Sequence, residues 1–486
     1  MIPMPIRHAR LVLSAALAAA LGACAVGPNY QRPALPLASA YKEQGWSPAQ
    51  PADLAPRGDW WTLFGDPALD ALEARVAISN QNVAAAEAAY RQAEALVREQ
   101  RAALFPTVTL DGGATRSGSG GGSGGTVVST GGGSSVVTGG GGRSSTTYRA
   151  SIGASWEPDI WGRIRRTVEG ARGQAQASEA DLAAARLSAQ GALAADYFDL
   201  RQADGEIALL TEVAEGYKRS LTIAQNRYRA GVAPHSDLLQ AQSQLASTQA
   251  DLADLGRTRA QFEHAIAVLV GETPETFSLA ADPTWTPKIA VVPAGVPSTL
   301  LQRRPDIAAA ERRAAAASAQ IGVATAAWFP DLTLTGSYGF AASELSKLFS
   351  ASSSIWSLGV AAGETLFDGG ARRARVSQAR AGYDQAAAQY RQTVLAGLQD
   401  VEDQLAAQRA LAAEYELRRQ AAEAAQSAAA MMLNQYREGL VDYTSVVTAQ
   451  ASALSARRSL VQAAAQRQTT AVALIQALGG GWTAPF

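Results

Sequence analysis

The 486-residue sequence is short of what enzymes, nucleic-acid binders and disulfide-built domains depend on. It has a single cysteine, Cys24, so a disulfide within the chain is impossible and a structural thiol cluster is excluded. Of its three histidines, His8 lies at the extreme N-terminus, while His235 and His264 have neither metal-ligand spacing nor a nucleophile beside them, so no enzyme is expected. Lys and Arg number 42 against 43 Asp and Glu, which recommends no nucleic acid as a partner. No G-x-x-x-x-G-K-[ST] occurs, so the chain has no loop for ATP. Aromatics make up 7%, and alanine dominates the apolar count, a balance that suits long, closely packed helices better than a thick globular core.

Proline is missing from two long stretches, Pro158 to Pro234 and Pro330 to Pro485. Because proline breaks helix interiors, Gly162 to Gly231 and Gly369 to Gly439 read as two helices of about 70 residues, roughly 100 Å each at 1.5 Å per residue. Their apolar residues recur every seven. Leu193, Leu200, Ile207, Ala214, Leu221 and Tyr228 form one row, and Ala203, Leu210, Tyr217 and Ala224 a second. After the turn come Leu238, Leu245, Leu252 and Ile266, with Leu255, Phe262 and Leu269 beside them. This is the pattern of antiparallel coiled-coil hairpins.

The N-terminus carries an address. Arg7, His8 and Arg10 precede an apolar run from Leu11 to Leu21, too short to span a bilayer as a helix. The run ends in Leu21-Gly22-Ala23-Cys24, which resembles a bacterial lipobox and implies cleavage before Cys24 and acylation of that cysteine. In lipoproteins of this kind Ala25, rather than aspartate, after the cysteine points to the outer membrane.

The chain is written twice. FPTVTL (105–110) parallels FPDLTL (329–334) at an offset of 224; EPDIWGRIRR (157–166) parallels ETLFDGGARR (364–373), aligning Gly162 with Gly369 at 207; YRAGVAPHSDLLQAQ (228–242) parallels YREGLVDYTSVVTAQ (436–450) at 208. The change in offset places an insertion of 17 residues in the first half, where a Gly/Ser-rich loop (112–146) has the composition of a flexible segment. Inside it, Gly121-x-Ser123-x-Gly125 imitates a nucleophile elbow and Gly120-x-Gly122-x-x-Gly125 a dinucleotide loop. Neither is credible without a strand-turn-helix setting.

Four stretches switch to a period of two. Val108, Leu110, Gly112 and Ala114 alternate with polar or tiny residues, as do Tyr148 to Trp156, Leu332 to Phe340 and Trp356 to Ala362. Each is about ten residues with one apolar face, the signature of a transmembrane barrel strand. Four strands cannot close a barrel in lipid, since an open edge leaves backbone groups without partners. Two copies would give eight strands and a filled interior; three give twelve and room for a passage, so a trimer is expected. A pore-free coiled-coil tether is the competing reading, and the four alternating strands speak against it.

The chain resembles the TolC-like outer-membrane efflux proteins, in particular the lipoprotein branch serving tripartite pumps driven by RND-type inner-membrane transporters. The resemblance rests on CAVGPNYQRP (24–33), WWTLFGDPALDAL (60–72), WEPDIWGR (156–163), VPSTLLQRRPDIAAAE (296–311), FPDLTL, LFDGG (366–370) and the paired YRAG and YREG turns. It implies a mixed α and β fold: a trimeric 12-stranded β-barrel in the outer membrane, four strands per subunit, continued by a long α-helical coiled-coil barrel in the periplasm and built on two internal repeats. The expected organisation is a signal peptide (1–23), an acylated extension (24–65), a first repeat (66–270), a Pro-rich equatorial linker (271–297) and a second repeat (298–486). The implied role is a passive exit duct for small toxic compounds or drugs. Its partners would be two further copies, a periplasmic adaptor, an inner-membrane RND-type pump and outer-membrane lipid, with no cofactor beyond the lipid on Cys24.

The resemblance also assigns residues. Arg229, Gly231 and Val232, with Arg437, Gly439 and Leu440, would form the tips that face the adaptor. Asp237 and Tyr436 align with a hydrogen-bonded pair that holds the periplasmic end shut, in a gate that includes Arg437, Asp442, Thr444 and Thr448. Relatives often carry aspartates at the positions of Ser445 and Thr448, so blockade by divalent cations is not expected here; Asp442 is the candidate for a substitute ring.

Overall fold

The computed structural model describes residues 25–35, 41–43, 59–118, 144–289, 292 and 303–480. The leader 1–23, Cys24 with its expected acylation, and residues 119–143 of the Gly/Ser-rich loop, including the two imitated motifs, lie outside the described residues. In chain order the elements are α1 (Pro67–Ser79), α2 (Gln81–Ala102), β1 (Thr107–Gly118), β2 (Ser144–Trp156), α3 (Arg163–Arg229), α4 (His235–Leu269), α5 (Pro305–Ala326), β3 (Asp331–Ala342), β4 (Ser354–Gly363), α6 (Ala371–Arg437) and α7 (Tyr443–Ala477), with a 3-10 turn (Trp60–Phe64) before α1. None of the described helices is long and apolar enough to cross a membrane.

The proline-free stretches are α3 and α6, each of 67 residues, and each is followed by a helix of 35. One alignment from the sequence is corrected. Thr107 faces Ser155 and Asp331 faces Gly363, so the first strands are offset by 224 and the second by 208. The helices keep 208, which makes Gly370, not Gly369, the counterpart of Gly162, with φ of 95° and 81°. The insertion is therefore 16 residues rather than 17, and the discrepancy arose because LFDGG offers two adjacent glycines. A second break escaped the pattern of apolar residues. Asn80 separates α1 from α2, its side chain accepting from the amides of Asn82 at 3.0 Å and Val83 at 3.1 Å as an N-cap.

Packing divides the chain into two compact units. The first holds the described residues up to Gln31, Glu94–Arg172 and Ala315–Tyr383. Its centre is a four-stranded antiparallel sheet in the order β1-β2-β3-β4. Registers such as Leu110 with Ile152, Ile152 with Tyr338 and Tyr338 with Trp356 put large apolar side chains in one line across the sheet. That face is bare: Leu110 is 80%, Leu358 81% and Trp356 77% exposed. The other face is polar, with Thr109 bonded to Asp111 at 3.1 Å and Ser337 to Ser357 at 2.8 Å. At the junction after β2, Trp161 stacks on Phe329 with centroids 4.8 Å apart and donates its indole N–H to the Pro330 carbonyl at 2.9 Å. The N-terminal segment is strapped to the same junction. Val26 donates to the Trp161 carbonyl at 3.0 Å, and a Cβ on Gly162 would lie 2.8 Å from Ala25.

The second unit holds Arg32–Ala93, Gly173–Ala314 and Asp384 onward. Here α3 and α4 run antiparallel, as the Asp204 to Arg259 ion pair at 2.6 Å requires of residues equidistant from the turn. The row Ala203, Leu210, Tyr217 and Ala224 is buried throughout; Leu193, Leu200 and Ala214 are buried in the other, Ile207 and Leu221 half-buried, and Tyr228 exposed. The α4 residues Leu238, Leu245 and Leu252 are half-buried. The motif WWTLFGDP builds a core with α3: Trp60, Trp61 and Phe64 are buried, and Phe64 meets Phe198 at 4.9 Å.

Candidate functional site

The two helix-to-helix turns of the second unit are made alike. Gly231 donates to the Tyr228 carbonyl and Val232 to that of Arg227, both at 3.0 Å; Gly439 donates to Tyr436 at 3.0 Å and Leu440 to Gln435 at 2.9 Å. These are two Schellman closures, which need a left-handed residue after the last helical one, and Gly231 and Gly439 have φ of 74° and 79°. The residue after each glycine, Val232 and Leu440, is a largely exposed aliphatic, and Arg229 and Arg437 are exposed beside them.

Tyr436, the next-to-last residue of α6, turns inward and is buried. Its hydroxyl donates to Asp237 Oδ2 on α4 at 3.3 Å. Sequence reasoning had paired these two, and they meet. It had missed Arg227, whose guanidinium lies 4.7 Å over the Tyr436 ring and donates to the Tyr436 carbonyl at 2.9 Å. It had also missed Tyr443, buried 5.2 Å from Tyr436 in a small core with Ala224, Ala241 and Val446. A signal for Arg227 did exist: NRYRAG carries an arginine where NQYREG has Gln435.

Burial, then the charge of Asp237, pushes the Tyr436 phenol up, with Arg227 opposing, and burial pushes Tyr443 up to about 12. Both remain neutral hydroxyls in any physiological medium, so Tyr436 is a reliable donor to its carboxylate.

The remaining gate candidates stay local. Asp442 caps α7, accepting from the Ser445 amide at 2.8 Å and hydroxyl at 2.6 Å, and these two bonds hold its carboxyl below the usual range. Thr448 donates to the Thr444 carbonyl at 2.9 Å, one helical turn away on the exposed side. Arg437 reaches only Asn434 at 3.5 Å among the described contacts. The arrangement contains no reacting group. It fastens one helix pair to the other through the Tyr436 to Asp237 hydrogen bond, the bonds from Arg227 to the Tyr436 and Arg437 carbonyls, one cation over a ring and a five-residue core.

Comparison with known proteins gives the arrangement its setting. The model of the outer membrane efflux protein family matches residues 73–272 and 296–480. TtgC, a probable efflux pump outer membrane protein of Pseudomonas putida, is 30% identical over 470 residues, 95% of this chain and 93% of TtgC. CusC, a cation efflux system protein of Escherichia coli, is 28% identical over 471 residues, 96% of this chain and 97% of CusC. The solved outer-membrane channel OprN is 32% identical and superposes with a TM-score of 0.83 over 94% of this chain and all of OprN. With both halves matched and relatives aligned end to end, the chain belongs to the outer membrane efflux protein family.

Proposed function

We propose that the protein is the outer-membrane exit duct of a tripartite efflux system, passively conducting small toxic compounds delivered by an inner-membrane RND-type pump through a periplasmic adaptor. The observation that carries this reading is the sheet: four strands with two unpaired edges, one bare apolar face and one hydrophilic face. In hydrocarbon both edges would leave backbone groups unsatisfied, so the sheet is complete only when copies share it. Three copies give a twelve-stranded barrel, lipid outside and water inside. Each chain then contributes two structural repeats, 66–270 and 298–486, joined by the linker 271–297.

Cys24 is taken as the acylated N-terminus. In support, the residues immediately after it are bound to the junction that follows β2, at Trp161 and Gly162, so a lipid there would enter the leaflet near the strand ends. The tips Arg229, Gly231, Val232, Arg437, Gly439 and Leu440 are the adaptor-facing surface, and Asp237 with Tyr436 is the latch behind them. Asp442, Thr444 and Thr448 border it on α7. Because Asp442 is already engaged in a helix cap, divalent-cation blockade is not part of this reading. No cofactor is required, and no catalysis. The relatives' names cover drugs, solvents and cations as cargo, so selection of cargo belongs to the pump.

The purified acylated protein reconstituted in planar bilayers should pass ions in discrete steps. A thiol reagent on Ser357→Cys, at the polar face, should reduce each step, and the same reagent on Val360→Cys should not. A bilayer that stays silent with protein inserted would overturn the reading.

A further inference from the structure

Where α1 begins, the second unit encloses a cavity of about 280 Å³ that neither the tips nor the latch uses. Its wall is aromatic: Phe64 and Phe198 are buried, and the half-buried Trp285 ring lies 6.0 Å from that of Phe198. Gln468 of α7 lines it from within. That residue is 1% exposed, yet neither its Oε1 nor its Nε2 has a hydrogen-bond partner among the described residues. An amide buried in this way costs stability that an aliphatic side chain of similar size would not, unless a ligand meets it.

The other polar groups still open in the cavity are few, and their charges balance. Asp66 lines it with both oxygens already engaged by protein donors. Asp282 uses Oδ1 for the amide and hydroxyl of Thr284, at 3.0 and 2.8 Å, and its Oδ2 accepts nothing among the described contacts. Lys288 ends at the exposed mouth, where a Cβ on Gly65 would lie 3.2 Å from its Nζ, and it forms no ion pair among the described residues. One open anion and one open cation favour a neutral ligand with hydroxyls, which both donate and accept. The Gln468 amide, a donor and an acceptor together, matches a second amide. An aromatic wall suits the C–H face of a saturated ring. The volume, just under the roughly 300–1,000 Å³ of drug-sized sites, admits one such ring. We propose that the cavity binds one N-acylated pyranose, its hydroxyls on Asp282 and Lys288, its acylamino group on Gln468 and its ring against Trp285.

Saturation-transfer NMR on the acylated protein, in a detergent without sugar head groups, tests this with N-acetylglucosamine, its β-linked trimer and glucose as probes. N-acetylglucosamine should bind, and glucose about tenfold more weakly, because glucose leaves the Gln468 amide unmet. In the trimer, transfer to the terminal ring alone fits a chain end entering the cavity, and the two affinities tell a chain end from the free sugar; equal transfer to all three rings contradicts a one-ring site. Gln468→Leu should weaken binding about tenfold while its thermal midpoint holds or rises, since it removes an amide without protein partners. Lys288→Met, at the exposed mouth, should weaken binding with the core untouched, and it carries the test should Gln468→Leu not fold. Wild-type affinity in the folded variants, or equal binding of glucose, overturns the proposal and leaves the duct reading standing.

Discussion

Asp66, the N-cap of α1, accepts a hydrogen bond from the Tyr197 hydroxyl of α3 at 2.7 Å, and the same oxygen accepts from the Trp285 indole at 3.2 Å. Its other oxygen caps α1 through the amides of Ala68 and Leu69. Tyr197 in turn accepts from Arg201 at 3.1 Å, Arg201 reaches Asp204, and Asp204 holds Arg259. One carboxylate therefore joins the end of the WWTLFGDP segment, the long helix and the segment after α4. Behind it Arg201 and Asp204 are buried and Arg259 is half-buried, so each member depends on the next.

Replacing Asp66 by alanine removes a cap worth about 1 kcal/mol and leaves the buried Tyr197 hydroxyl without its acceptor, a further cost of about 1–3 kcal/mol. Urea unfolding should shift to lower midpoint by that sum, and Asp66→Asn, which keeps an acceptor, should recover part of it. Equal midpoints for alanine and wild type would show the hub to be idle.

Glu73 on α1 is fully buried, and burial followed by the charge of Asp70 raises its carboxyl to about 9. The fold thus favours the protonated acid. Its contribution is complete below the ordinary value of about 4.5, falls as pH climbs, and is exhausted once pH passes about 9. Glu73→Gln, neutral at every pH, should unfold at a higher temperature than wild type at pH 8 and flatten the dependence between those limits. A wild-type stability that rises across this window would contradict the assignment.

Tyr436→Phe keeps the buried ring under Arg227 and deletes only the bond to Asp237. At about 1 kcal/mol per chain, the three chains of the proposed trimer would shift its closed-to-open balance by roughly a hundredfold. Single-channel recording should show a larger open fraction with trimers intact; an unchanged open fraction would leave the Tyr436 to Asp237 bond without a gating role.

The helices and strands were legible because their signals are local. Seven-residue rows such as Ala203 to Ala224 and the alternation in β1 or β4 depend only on neighbours along the chain, and the glycines that end α3 and α6 are forced by a left-handed turn. The Tyr436 to Asp237 pair was reachable through resemblance alone, since nothing in either residue's surroundings advertises the other. The Asp66 hub was not legible. Asp66-Pro67 marks a helix start, but Tyr197, Arg201, Asp204 and Arg259 look like ordinary polar positions on helices until packing buries them. Asn80 was hidden for a related reason: a cap between two alanine-rich helices interrupts no apolar row.

The two faces of β4 should respond oppositely to charge. Val360→Arg puts a guanidinium on the bare apolar face, at about 2–4 kcal/mol per chain if that face meets the bilayer midplane, and should lower the amount of assembled protein in outer membranes. Ser357→Arg, on the other face, should assemble normally and narrow the conductance. If both variants assembled equally well, the apolar face would not face lipid.

The sharing of one wall by several copies is tested most directly by native mass spectrometry of the acylated protein released from outer membranes in mild detergent. The account predicts a species of three chains; a species of one chain, stable on dilution and folded, would contradict it.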